Sequence, residues 1–218
     1  MSVAITVLVI VMISLTSGFA LLQIVFSIYA YFYRRKYYKT MYDCPPPDAR
    51  VVIIIPCKGK DEETENAFEG IFSQTYKNFR VVFVTESEQD EAVPLIKKFI
   101  EKYPTSKHKV AGHAINCGQK NLNLIKGLEN EDDCDIYVFC DADNTPKAQW
   151  LEKLIAPLGQ DNINIVTSFH TIKMRQKGFI AFTFKVFVSF MHTMNCHPSM
   201  GGIWGGSFAI KRKAFIEY

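Results

Sequence analysis

At 218 residues, with 48% hydrophobic and 22% charged side chains, the chain is long enough for one ordinary core and too apolar for a disordered or fibrous class. Its net charge of +3 is concentrated at Arg34, Arg35, Lys36 and Lys39, and the other basic and acidic residues nearly balance. A nucleic-acid partner needs a basic face on the folded domain, and no comparable cluster recurs after residue 40, which argues against that class.

Residues 2–33 contain no Asp, Glu, Lys or Arg, and a helix needs only about 20 apolar residues to cross a bilayer. A cleaved signal peptide fits poorly, because the charged n-region is missing and the apolar run continues through Leu21, Leu22, Ile24 and Phe26. Residues 1–33 therefore read as a retained, single transmembrane anchor. The basic cluster behind it predicts, by the positive-inside rule, that everything after residue 34 is cytoplasmic, and Tyr29, Tyr31, Tyr33, Tyr37 and Tyr38 suit the bilayer interface. Pro45, Pro46 and Pro47 cannot continue a helix, so residues 34–49 read as a basic, proline-rich linker.

The folded domain is expected from residue 50. Val51-Val52-Ile53-Ile54-Ile55 is a continuous β-branched run, the pattern of a strand covered on both faces, and residues 81–84 and 136–139 repeat it. Helical periodicity lies between and after them. Ala67, Phe68, Ile71 and Phe72 share one face, as do Ile96, Phe99, Ile100 and Tyr103, and later Trp150, Leu151, Leu154, Ile155 and Leu158. This alternation predicts a parallel α/β sheet, joined near the end by a strand over residues 203–210.

Ligands in such sheets bind beyond the carboxyl ends of the strands, here residues 56–60, 86–90 and 141–144. All three loops are polar or charged. Asp141-Ala142-Asp143 follows its strand directly, giving two carboxylates spaced to share Mg2+ or Mn2+ with the oxygens of a diphosphate. Gly118-Gln119-Lys120-Asn121-Leu122-Asn123 opens a helix whose amides, lysine and side-chain amides suit phosphate or sugar hydroxyls. Neither a Walker-type loop nor a G-x-G-x-x-G follows the first strand. Cys44, Cys57, Cys117, Cys134, Cys140 and Cys196 form no C-x-x-C pair or zinc spacing and read as reduced thiols, with Cys196-His197 as packing.

These motifs, in this order, resemble the family 2 glycosyltransferases and, among them, the ceramide glucosyltransferase branch, over residues 50–218. Pro56-Cys57-Lys58-Gly59 resembles a Lys-Gly loop of that branch, Asp90 stands on an acidic site position, and Lys120 with Asn121 and Asn123 resembles its Lys-Asn stretch. Gly178-Phe179 and His192 keep a similar spacing, the Asp141-Ala142-Asp143 motif matches the wider family's DXD, and residues 205–212 are similar to its Gly-Gly strand lining the acceptor side. The resemblance implies a glycosyltransferase A-type fold, a Rossmann-like mixed sheet. It also implies inverting transfer of a sugar, glucose in that branch, from a UDP-sugar to a lipid or glycan acceptor. Asp143 would lead in holding the metal, with Asp141 on the metal or ribose. Pro56, Lys58, Glu86, Asp90, Lys120, Asn123 and Asp141 would contact the donor. Asp90, Asp141, Asp143 and His192 are the catalytic candidates. The family's later catalytic carboxylate and its Q-x-x-R-W segment would lie past Tyr218, so the catalytic domain is expected to be incomplete here.

Residues 179–191 are aromatic and apolar but too short, and at Lys185 too polar, for a full span. Two readings stand: a core helix, or an interfacial helix that admits a lipid acceptor. A polysaccharide synthase and a non-catalytic membrane scaffold keeping the fold are the alternative functions.

Overall fold

The computed structural model describes residues 3–42, 44–169, 177–195 and 201–217; Cys196 and His197 lie outside them. Its elements are α1 (Val3–Tyr42), β1 (Val51–Pro56), α2 (Thr64–Phe72), β2 (Phe79–Thr85), α3 (Val93–Lys102), β3 (Lys107–Val110), α4 (Gln119–Leu128), β4 (Ile136–Cys140), α5 (Trp150–Ile155), β5 (Ile165–Thr167), α6 (Phe179–Asn195), β6 (Ser207–Lys211) and α7 (Arg212–Glu217). They fall into two compact units. One comprises Met1–Thr40 and Thr171–Gly202, and the other Met41–His170 and Ile203–Tyr218.

In the first unit, the charge-free run forms α1, and its stretch Val3–Tyr33 has a mean hydropathy of 2.5 over 31 residues with nothing buried. At 1.5 Å per residue this stretch is ~46 Å long, more than the ~30 Å hydrocarbon core requires. One described helix is thus long and apolar enough to cross a membrane. The second helix of this unit, α6, meets it where the rings of Phe19 and Phe190 pack edge to face, 5.5 Å between centroids.

The second unit is built on a six-stranded sheet of order β3-β2-β1-β4-β6-β5. The first four in that order run parallel, whereas β6 is antiparallel to both β4 and β5. The continuous apolar run of β1 has the explanation its sequence suggests. Val51, Ile53 and Ile55 face one core with Phe68 and Ile71 of α2, Ile96 and Phe99 of α3, and Leu151 of α5. Val52 and Ile54 face the other, with Leu122, Leu124 and Leu128 of α4. Both faces are dry, so alternation would have left a polar residue unsolvated on one of them.

Gly127 sets how closely α4 approaches the sheet. A Cβ there would stand 2.4 Å from Cγ2 of Ile54 and 3.2 Å from Cγ2 of Val84. Gly127→Ala would improve helix propensity by about 1 kcal/mol, but inserting a methyl into a packed contact costs about 1–3 kcal/mol. Net destabilisation is the expected result of urea unfolding followed by tryptophan emission. Gly118→Ala, at a position open to at least 4 Å, serves as the comparison.

Two strands are inconspicuous in the sequence, one for its polarity and one for its length. β3 is Lys-His-Lys-Val at the sheet edge, and β5 is three residues long. The last strand starts at Ser207, four residues later than hydropathy suggests, because residues 203–206 form the turn that brings Gly206 O to the amide of Asp141 at 3.0 Å.

Beneath α4 the fold buries one carboxylate. The Glu131 side chain is 1% exposed and pairs with Arg80 at 2.9 Å, Lys107 at 3.0 Å and Lys109 at 3.0 Å. Lys109 also donates to the carbonyl of Gly127 at 3.1 Å and to that of Glu129, closing the carboxyl end of α4. Burial pushes the Glu131 carboxyl up, but the three cations outweigh it and hold the group below the ordinary carboxylate range.

Candidate active site

The loops that follow β1, β2, β3 and β4 emerge at one edge of the sheet because those strands are parallel. Several of the residues singled out in the sequence are tied to one another there. The turn after β1 needs a left-handed residue, supplied by Gly59 at φ 68°, and its amide donates to Asp90 Oδ1 at 3.0 Å. The same oxygen accepts the Ala92 amide at 2.9 Å. Asp90 therefore staples the Pro56-Cys57-Lys58-Gly59 loop to the entry of α3. The amide of Cys57 donates to Val84 O at 2.7 Å, continuing the β1–β2 ladder into this loop.

On the far side of β2, the Glu86 carboxylate lies 2.8 Å from Nδ1 of His113, and its backbone carbonyl accepts the Gly112 amide at 3.0 Å. The loop after β3 is then pinned to α4. Gln119 accepts the Ala114 amide at 2.8 Å and donates to Gly112 O at 2.7 Å and Asn123 Oδ1 at 2.8 Å. Asn123 itself is buried and donates to Val84 O at 3.4 Å, so it holds the frame beneath the loops. His113 went unnoticed in the sequence, because the loop that carries it follows a strand with no hydrophobic pattern.

At the end of β4 the two aspartates differ. Asp141 is half-buried, and its Oδ1 lies 2.5 Å from Nζ of Lys120 in the first turn of α4. Asp143 is exposed and, among the described residues, makes no side-chain hydrogen bond or ion pair. The loop beyond them is held by the segment that follows α2. Gln74, fully buried, donates to Gly70 O at 2.7 Å and Lys147 O at 3.0 Å and accepts the Leu151 amide at 2.9 Å. Gly70 lets Pro146 approach, since a Cβ would stand 3.0 Å from its carbonyl.

Two thiols lie under these loops. Burial pushes Cys140 up to about 12 and Cys57 higher still, with Asp141 and Asp143 adding to the first and Asp90 to the second. Both stay neutral at pH 7, so carboxylates and lysines supply the charge of this edge. No group of three or more His, Cys, Asp and Glu among the described residues forms a self-sufficient metal cage. The geometry suits a hard divalent ion that keeps part of its shell for phosphate oxygens, with Asp143 open to it and Asp141 beside it.

His192 sits half-buried on α6, in the helical unit. A separate groove of about 550 Å³, lined by Pro47, Ala49, Asp135, Ile136, Arg212 and Ile216 among others, opens at the start of β1 and β4. It lies at the opposite end of the parallel strands from the aspartates. Strand polarity and the paired carboxylates favour the other edge as the site.

The model of Glycosyl transferase family 21 matches residues 14–212. The chain is similar to the ceramide glucosyltransferase of Komagataella phaffii, 37% identical over 60 residues, which is 28% of this chain and 12% of that protein. It is also similar to ceramide glucosyltransferase 1 of Caenorhabditis elegans, 29% identical over 77 residues, or 34% of this chain and 16% of that one. The matched stretches thus span less than a fifth of these relatives' length. Among solved structures, a mannosyltransferase from Pyrobaculum calidifontis in complex with GDP-Man and Mn2+ superposes with a TM-score of 0.59 at 18% identity, covering 89% of this chain and 56% of that one. Glucosyl-3-phosphoglycerate synthase from Mycobacterium tuberculosis gives 0.50 at 17% identity, over 76% and 58%. These likenesses establish the glycosyltransferase A-type fold of the sheet unit.

Proposed function

Because the chain belongs to glycosyl transferase family 21, we propose that it carries the donor-binding part of a membrane-bound, inverting glycosyltransferase. The enzyme moves a sugar, glucose by its likeness to the ceramide glucosyltransferases, from a UDP-sugar to a lipid acceptor such as ceramide. The observation that carries this reading is the end of β4, where Asp141 is engaged by Lys120 while Asp143 stands open two residues further on. In organisation, residues 1–33 anchor the protein, 34–49 link, and 50–218 form the catalytic domain, with its sheet unit on the cytoplasmic side of the bilayer, as the Arg34, Arg35, Lys36 cluster favours.

Each group then has a task. Asp143, with Asp141, would hold Mg2+ or Mn2+, and the ion would supply positive charge for the diphosphate of the donor. Lys120 sits where α4 begins and where unpaired amides favour anions, and its ammonium serves the phosphates. Asp90 keeps the Lys58-Gly59 turn in place against the nucleotide, and Glu86, positioned by His113, faces the base and ribose. Pro56 lines the floor of that loop and Asn123 supports it from below. His192 is assigned to the acceptor side.

The test is transfer in sealed membranes. Inverted vesicles carrying the whole enzyme and given radiolabelled UDP-glucose, Mn2+ and mixed lipids should form labelled glycolipid, whereas intact right-side-out cells given the same donor should not. Product formed equally by intact cells would overturn the orientation. No labelled lipid from either, with a labelled soluble glycan instead, would overturn the acceptor class.

A further inference from the structure

The helical unit carries an inference about depth. α6 is apolar on most of its circumference: Phe179 is 82% exposed, Ile180 85%, Phe182 66% and Phe187 53%, and these residues do not share one face. A helix lying flat in the interface shows a strongly charged face, but α6 has one lysine, Lys185, aligned with Ser189 and His192 in a narrow stripe. A helix apolar nearly all round belongs in a core or in hydrocarbon. Its one described ring partner on α1 decides between them.

Phe190 packs on Phe19. With the tyrosines at residues 29–33 at the membrane surface, Phe19 lies ten to fourteen residues inward, about 15–21 Å deep, which is mid-bilayer. Hydroxyls on both helices are satisfied within their own helix: Thr183 donates to Phe179 O at 2.8 Å, and Thr16 to Met12 O at 2.9 Å. That is the behaviour hydrocarbon requires of polar groups. Lys185, on a long flexible stem, can carry its charge toward the surface.

We infer that α6 inserts into the hydrocarbon core beside α1, as a second membrane-embedded helix, instead of resting at the interface. This rests on the reading of α1 as an anchor. The test uses the full chain in phosphatidylcholine vesicles, with Cys44, Cys117 and Cys196 changed to serine; Cys57, Cys134 and Cys140 are buried and escape labelling. Nitroxides are attached through Phe187→Cys or Met191→Cys on α6, or Leu15→Cys on α1, and their depth is read from collisions with oxygen and an aqueous nickel chelate. The labels at 187 and 191 are expected more than about 10 Å below the phosphates, beyond the reach of an interfacial helix. Shallower labels on α6 with a deep one at residue 15 would overturn the inference, as would α6 labels shielded from both reagents. A shallow label at residue 15 would overturn the anchor itself.

Discussion

Asp143→Ala is expected to abolish metal-dependent donor binding and to lower sugar transfer by at least about 100-fold. The argument is one of supply. A Mg2+ or Mn2+ ion that takes most of its ligands from water and diphosphate depends on very few protein oxygens, so losing one removes a large fraction of what the protein contributes. Asp141 is a poor substitute because its Oδ1 is already committed to Lys120 at 2.5 Å. Asp143 is exposed, and an exposed side chain of this kind changes stability by no more than about 0.5 kcal/mol when replaced. Calorimetry of the detergent-solubilised full chain, titrated with UDP in the presence and absence of Mn2+, separates the two effects. A chelator should bring the parent down to the variant and leave the variant nearly unchanged. A variant that binds nucleotide with Mn2+ as the parent does would remove Asp143 from the site.

Glu131→Gln is expected to destabilise the fold by about 3 kcal/mol, the lower end of what breaking a buried ion pair costs. The lower end applies because Arg80 and Lys109 are about a fifth exposed and Lys107 half exposed, so water partly replaces the lost carboxylate. For a unit of this size that is a fall in melting temperature of about 6–12 °C. A pH signature accompanies it. The folded carboxyl titrates below its unfolded value, so its stabilisation is complete above the unfolded value near 4.3 and is lost as pH falls from there through the folded one. In Glu131→Gln that component of acid unfolding should be missing. Thermal melts from pH 7 down to pH 3 would show the two proteins converging. Parallel curves would mean that the Glu131 pairs contribute nothing specific.

This second case shows where sequence patterning stops being informative. Glu131 stands in the run Glu129-Asn130-Glu131-Asp132-Asp133, which has every mark of a solvated loop. Nothing local distinguishes the one carboxylate that three cations from β2 and β3 surround. The partners come from the sheet, and β3 was itself invisible because its Lys-His-Lys residues serve an edge strand and this ion cluster, with no apolar face to bury. By contrast β1, β2 and β4 were plain, since a strand covered on both faces must be apolar at every position. The edge where their loops gather was legible for the same reason, and Asp90, Lys120, Asp141 and Asp143 all lie on it. His113 was not, because loop geometry brings it in. The aromatic stretch at residues 179–191 left two readings open. The fold sets it in the helical unit with α1, outside the core of the sheet unit.

Because residues 171–202 interrupt the sheet unit between the antiparallel pair β5 and β6, the chain passes between the units three times: near residues 40, 170 and 202. The proline-rich linker is therefore one of three tethers. A protease that nicks the chain between Cys44 and Asp48 would free the sheet unit from α1 covalently, yet α6 would still hold it by both ends of its own loop. With α6 in hydrocarbon, the clipped protein stays in the pellet, and deleting the first forty residues would leave a protein that still sediments with membranes.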